Sequence, residues 1–277
     1  MIDIPKDKLN EYYWEKGLSQ IKIAKIFNCD PMTVGNRIRQ YNISKKTNSE
    51  ARMHYKKDDF DGNLASKAYL IGFRLGDLNV YQTSKKSSLV VARCNTTHKV
   101  QVELIANLFS LYGKVTVSPG TYSTNVNCYL NKSFKFLLPK YITLPAWLSR
   151  SKRASASFIA GYVDAEGNFL LNQSRARFKI DSYDEEILLW IFYWLTSKKI
   201  NAKFRQIAKR GQSRTNGMRF NKDLWRLNVN SASSLLRFIE FIEPFCKHKT
   251  RVHDMLLCKN NILERLAKGT ITNSEIL

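Results

Sequence analysis

From residue 66 onward the apolar and polar positions follow one order twice. A run of small and apolar residues with helical spacing leads to two alternating stretches, a second helical run and two more alternating stretches. In the first copy the pattern predicts a helix over 67–77, strands near 78–83 and 88–94, a helix near 98–112, and strands near 114–118 and 124–130. In the second it predicts a helix over 155–166, strands near 168–173 and 175–182, a helix near 184–198, and strands near 202–208 and 222–229. The strand assignments rest on alternation, such as Phe178 and Ile180 within RARFKIDS, and Leu224, Leu227 and Val229 with Trp225 and Arg226 interleaved. One or two further helices close each copy. The second hairpin of each copy has a long polar loop, SPGTYSTN in the first and KRGQSRTNGMRFN in the second.

Ahead of the repeat lies a different pattern. Residues 1–43 form a small helical domain, and 44–65 lose apolar periodicity and become a charged linker, expected to be flexible. Within LSQIKIAKIFNCDPMTVGNRIRQYNI, two helical runs are joined by Asn28, Cys29 and Asp30. Asp30 can cap the second helix, Pro31 suits its first turn, and Asn28 tolerates a left-handed turn. Val34, Ile38 and Tyr41 form the buried face and Ala24 is small where the helices cross, which leaves Thr33, Asn36, Arg37 and Gln40 outward. The pattern resembles a helix-turn-helix, whose second helix reads the DNA major groove. A three-helix bundle that docks on protein is the alternative.

The first helix of each repeat raises a chemical question. Gly72 and Gly76, like Gly161 and Ala165, are four residues apart, so each helix has a bare stripe where another backbone can approach. Each helix also ends in an acid, Asp77 or Glu166, against the helix dipole. Packed about a pseudo-twofold axis, the helices would bring these acids together, and a cation between them would remove the repulsion. Hard carboxylate oxygens suit Mg²⁺, which keeps several waters and takes phosphate oxygens. The plainer reading is two buried helices with solvated terminal acids.

Charge narrows the partner. With 45 Lys and Arg against 23 Asp and Glu, the net charge is +22, which attracts a polyanion, nucleic acid first. A membrane partner is not expected: the longest apolar run, ILLWIFYWL, is too short to span a bilayer, and the N-terminus has no secretory pattern. Five cysteines without CxxC spacing fit a reducing compartment, cytoplasm or organellar matrix. The spacings of Cys246, His248, His253 and Cys258 fit no standard zinc site. The run Trp190, Phe192, Tyr193 and Trp194 reads as core packing.

The two acid-ended runs, LIGFRLGDL at 70–78 and IAGYVDAEG at 159–167, resemble the nine-residue motif of the LAGLIDADG homing endonucleases of the single-chain, two-motif type. The second is the closer match; in the first, Leu75 replaces the earlier acid and Leu78 the final glycine. The resemblance implies an α+β fold of two pseudo-symmetric αββαββα halves, at 66–150 and 151–277, whose antiparallel strands form a saddle on double-stranded DNA. It implies a monomer that cuts both strands with Mg²⁺ held by Asp77 and Glu166, and one basic residue per active site. PFCKHKTR resembles the family segment that carries this residue, making Lys249 the candidate in the second half. In the first half the candidate is Arg150, five residues beyond Pro145 as Lys249 is beyond Pro244, with Lys152 as the alternative. Arg175, Arg177, Arg210, Arg214 and Arg226 are expected on the DNA. The competing expectation, prompted by Leu75 and Leu78, is an inactive DNA-binding regulator or an RNA maturase with intron RNA as partner.

Overall fold

The computed structural model describes residues 3–46, 55–141, 143–214 and 217–271. Among these, no helix is long and apolar enough to cross a membrane. The chain opens with α1 (Lys6–Asn10), continued by a π-helical turn over Glu11–Glu15, then α2 (Gln20–Ile26) and α3 (Pro31–Gln40). Capping sets the last two boundaries: Ser19 accepts from Lys22 N, and Asp30 accepts from Met32 N at 2.7 Å with Pro31 in the first turn. Asn28 takes the left-handed conformation (φ 49°) in the turn between them. Ile4, Leu9, Tyr13, Ile23, Ala24, Val34 and Ile38 form a core of their own, on which Tyr41 packs partly buried while its hydroxyl donates to Ile4 O.

The linker expected over 44–65 is only partly of that kind, and its residues 47–54 lie outside the described ones. Residues 55–63 are seated on the body. Asp58 N donates to Tyr112 O, Phe60 N donates to Ser133 Oγ at 2.8 Å, and the Phe60 ring packs on Tyr112, Phe134 and Phe136.

The first half then runs α4 (Leu64–Asp77), β1 (Asn79–Tyr81), β2 (Val90–Thr96), α5 (Lys99–Phe109), β3 (Lys114–Pro119) and β4 (Thr124–Leu130). A 3₁₀ turn (Lys132–Leu137) and the short α6 (Ala146–Arg150) close it. The second half runs α7 (Lys152–Glu166), β5 (Gly167–Asn172), β6 (Arg175–Ser182), α8 (Glu185–Ser197), β7 (Lys203–Ala208), β8 (Leu224–Val229), α9 (Ala232–Ile242) and α10 (Lys249–Ala267). Each half is one antiparallel four-stranded sheet, in the orders β1-β2-β4-β3 and β5-β6-β8-β7. The fold is therefore α+β, with one topology used twice.

Sheet registers separate core from surface. Val90, Ala92 and Cys94 face inward with Val126, Cys128 and Leu130, as do Phe178, Ile180, Leu227 and Val229 in the second sheet. Trp190 packs edge-on to Phe158, and Trp194 to Phe241, so both belong to the core; Tyr193 is exposed. α4 and α7 meet at the centre because neither carries a side chain where the backbones touch. A Cβ at Gly72 would lie 2.0 Å from Phe158 O, and one at Gly161 would lie 2.1 Å from Tyr69 O. Tyr69 and Phe158 are the matching positions of the two copies, so the contact is reciprocal.

Candidate active site

The helix contact continues to the acid-bearing ends. At Gly76 a Cβ would stand 2.4 Å from Ala165 Cβ and 3.0 Å from Glu166 Cγ, so Glu166 lies across the turn that ends in Asp77. Burial raises both acids. The Asp77 carboxyl is pushed up to about 6 by burial, against a hydrogen bond from Gln101 Nε2 and the nearby Arg251 charge. Glu166 is pushed up to about 7, by burial first, then by Asp77 and Asp184, with Arg251 again opposing. The Asp77 charge adds to the cost of ionising Glu166, so the pair forms a site for a positive charge.

Asp164, two residues before Glu166, does different work. It is fully buried, accepting from Tyr69 Oη at 2.6 Å, Lys247 N at 2.6 Å and His248 N at 3.1 Å. Burial raises its carboxyl and these donors pull it back. Asp164 thereby ties α7 both to α4 and to the loop that enters α10. His248 caps α10 by accepting from Arg251 N, which places Arg251 in the first turn. Arg251 acts electrostatically on Asp77 and Glu166 alike, lines the cleft that holds Asp77, Gln101 and Thr96, and has a buried Nε without a hydrogen-bond partner among the described residues. In the first half Leu75 stands where Asp164 does, and the tie is of opposite polarity: the buried Arg74 donates Nε to Leu137 O at 2.7 Å. A second cleft, flanking Gly76 and Asp77, holds Asp184 with Lys140, Lys222 and Tyr141. Asp184 is raised by burial, with Lys222, Arg74 and Lys140 opposing.

The basic residues expected from the sequence lie elsewhere. Lys249 is exposed and ion-paired with Glu103 at 3.0 Å, and it is not among the residues lining the cleft of Asp77. Its side chain leaves the first turn of α10 on another face than Arg251. Arg150 and Lys152 are both exposed at the α6–α7 junction, and neither lines either cleft. Proline spacing locates a segment, whereas the Asp164–loop–His248 chain of bonds decides which of its side chains, here Arg251, lines the cleft. PFCKHKTR already contained it.

Two carboxylates are what the site offers a metal ion. Among the described residues, no group of three or more His, Cys, Asp or Glu side chains is placed to hold one. An ion with few protein ligands and several waters fits this donor set, and the mutual repulsion of Asp77 and Glu166 is relieved by it. Cys258 and His248 have other partners: the thiol lies near Leu170 O and Arg177 O, and His248 serves as the helix cap.

The outward sheet faces flank this centre. On the second, Arg175, Arg177 and Lys179 of β6 share a face with Lys203 and Arg205 of β7 and with Arg226 and Asn228 of β8. Arg226 forms a two-pronged ion pair with Asp181, both bonds 2.6 Å, so it is held rather than loose. Arg210 is exposed on the hairpin; Arg214 donates to Tyr183 Oη at 2.6 Å and stacks on Phe220. The first sheet presents Arg93, Asn95, Asn125, Asn127 and Tyr129. In the N-terminal domain Asn36, Arg37 and Gln40 lie on the outer side of α3, with Arg37 bonded to Gln40 and Asn36 to Arg39, and Thr33 is half-buried.

Residues 153–243 match the model of the LAGLIDADG-like domain. No curated protein matches the chain. Among solved structures, I-DmoI in complex with DNA and Mn is similar at 17% identity and a TM-score of 0.44, over 67% of this chain and 99% of that one. Mesophilic variants from the homing endonuclease I-DmoI give 16%, 0.43, 65% and 95% in the same order. Full-length DUF199/WhiA from Thermatoga maritima gives 16% and 0.47, over 76% of this chain and 63% of that one.

Proposed function

We propose that the protein is a site-specific, Mg²⁺-dependent double-strand DNA endonuclease of the two-motif LAGLIDADG type. The observation that carries this is the pairing of Asp77 and Glu166, both raised by burial, at the meeting ends of two helices beneath two basic or amide-rich sheets. The two carboxylates would hold the ion, which when bound supplies an activated water and charge stabilisation at a phosphodiester. The chain supplies the rest. Gln101 fixes the orientation of the Asp77 carboxyl, and Arg251, which lines the same cleft, would bring its guanidinium charge to a phosphate entering there. Lys140 and Lys222 bring positive charge to the second cleft. Arg175, Arg177 and Arg226, with Lys179, Lys203 and Arg205, contact backbone and bases in the groove, joined by Arg210 and Arg214 of the hairpin. Thr33, Asn36, Arg37 and Gln40 extend contact through the N-terminal helices. A single chain with internal pseudo-symmetry acts as a monomer on an asymmetric target, in cytoplasm or organellar matrix, in the service of intron mobility.

The test is cleavage of a randomised duplex library in Mg²⁺. Wild type should yield a selected cut sequence, and Asp77→Asn or Glu166→Gln should lower cutting on the order of 10³-fold while keeping binding in Ca²⁺. Undiminished cutting by both variants would sink the assignment. A second reading, a DNA-binding regulator or an RNA maturase, draws on Leu75 and Leu78, which remove two motif residues from the first copy while keeping its helix packed. Sequence-specific binding by wild type without any cleavage would select it.

A further inference from the structure

The segment between the N-terminal helices and the body ends in a cluster that the endonuclease reading does not use. Tyr55 lies against Tyr129, ring centroids 6.0 Å apart. Two ammonium groups converge on the Tyr55 ring, Lys57 Nζ at 4.7 Å from its centroid and Lys114 Nζ at 5.3 Å. Lys114 and Tyr129 are register partners, so their side chains share the outward face with Thr116, Asn127 and Arg93. Tyr55 is thus laid onto the face of the first sheet that presents Arg93 and the asparagines. It lies at the Tyr129 end, away from Thr96 and the Asp77 cleft.

The neighbouring acids are already engaged. Asp58 pairs with Lys56 at 2.9 Å, Asp59 accepts from Asn131 Nδ2 at 2.8 Å, and Asp61 accepts from Tyr112 Oη at 2.8 Å. Lys57 and Lys114 are within 4 Å of no carboxylate among the described residues and share one ring instead. Both ammonium groups bring positive charge to one ring without a carboxylate beside them, and burial lowers the Lys57 ammonium below its usual value. The aromatic face offsets part of that cost. A polyanion passing over the cluster removes the rest. The backbone here is not free to withdraw, because Asp58 N and Phe60 N are both bonded to the first half.

We propose that Tyr55, Lys57 and Lys114 form a phosphate clamp at the outer end of the first sheet, gripping the DNA backbone beyond the cut site and fixing the flank on which the N-terminal domain lands. This rests on the reading of the protein as DNA-binding and adds direction to it. Nine peptide steps separate Lys46, whose N donates to Tyr13 Oη in the N-terminal domain, from Tyr55. They span at most roughly 30 Å, about nine base pairs of duplex. The domain therefore sits next to the first half, within about one helical turn of the clamp.

The experiment has two arms. The first measures binding to a random-sequence duplex against salt concentration. The double variant Lys57→Ala, Lys114→Ala should flatten the slope of log affinity against log salt by about 1.8, since each phosphate contact contributes about 0.9. The second arm is hydroxyl-radical footprinting on a duplex recovered by binding selection, beginning with wild type. It should show protection extended on one flank only, with that extension lost on removal of residues 1–46, and cleavage by tethered iron on Cys-substituted Lys114 should fall on the same flank. An unchanged slope in a double variant that melts like wild type, or iron cleavage on the opposite flank, overturns the clamp while leaving the endonuclease reading intact. Failure of wild type to bind any duplex overturns both.

Discussion

At the scale of single residues, the paired acids have a local signal in the sequence and the arginine beside them has none. Asp77 and Glu166 could be found because the signal is local: small residues at helical spacing followed by an acid in the last turn. Arg251 depends on Asp164 accepting from residues more than 80 positions later, and no spacing rule reports that. The difference is testable. Arg251→Ala should lower single-turnover cleavage on the order of 10²-fold, the usual loss for one group that stabilises developing charge. Lys249→Ala, which removes only an exposed ion pair, should change cleavage by no more than a few-fold and leave stability essentially unchanged. The reverse ranking would return Lys249 to the site. The raised acids predict a pH dependence as well. A carboxyl raised in the folded state favours folding below its unfolded pKa, and that contribution is lost as pH rises through about 6 for Asp77 and about 7 for Glu166. In EDTA the melting temperature of wild type should therefore fall by several degrees more between weakly acidic and weakly basic pH than that of the double variant Asp77→Asn, Glu166→Gln. Mg²⁺ should restore wild type most at the basic end. A wild-type curve parallel to the variant's would mean the acids are not ionising against burial.

At the scale of elements, alternation located the strands and small-residue spacing located the central helices, because both report which face is buried. Ends were less legible. The helix expected to reach 112 stops at Phe109, where Tyr112 N and Gly113 N both turn back to Phe109 O. The strand expected to reach 83 stops at Tyr81, where Gln82 turns to bond Ser87 O. The α4–α7 contact gives a sharper prediction. Gly72→Ala and Gly161→Ala each put a methyl group against a backbone carbonyl of the other helix, which cannot move without separating the pair. Alanine gains about 1 kcal/mol of helix propensity, and each substitution should still destabilise by about 1–3 kcal/mol or more, read from the urea midpoint. Gly35→Ala in α3 is the contrast. Its new methyl meets only the flexible end of Gln20, so it should leave the N-terminal domain unchanged or stabilise it by up to about 1 kcal/mol. Equal destabilisation at all three glycines would show that helix approach is not what the central pair requires.

At the scale of the whole molecule, the net charge of +22 pointed to a polyanion, and the repeat pointed to two halves under one axis. What the sequence concealed is where the N-terminal domain ends and the body begins. KKDDFDGN is charged and aperiodic and reads as linker, yet Phe60 is seated among Tyr112, Phe134 and Phe136, and Asp58 and Phe60 are bonded by their backbones. Such contacts are non-local and leave no period along the chain. The consequence is that two truncations which look equivalent on a linker should behave differently. Removing residues 1–54 takes away the N-terminal helices with their separate core, so the remaining body should keep its melting temperature and, on a bound target, its cleavage rate. Removing residues 1–62 also takes away Phe60 and opens the aromatic cluster beneath it. Full burial of such a side chain contributes about 1.5–3 kcal/mol and Phe60 is partly buried, so this body should melt a few degrees lower. The loss should be confined to the first half, with hydrogen exchange rising around Phe134 and Tyr112 while α8 and α9 of the second half remain protected. If both truncations melt alike, residues 55–62 are a linker after all and the body begins at α4.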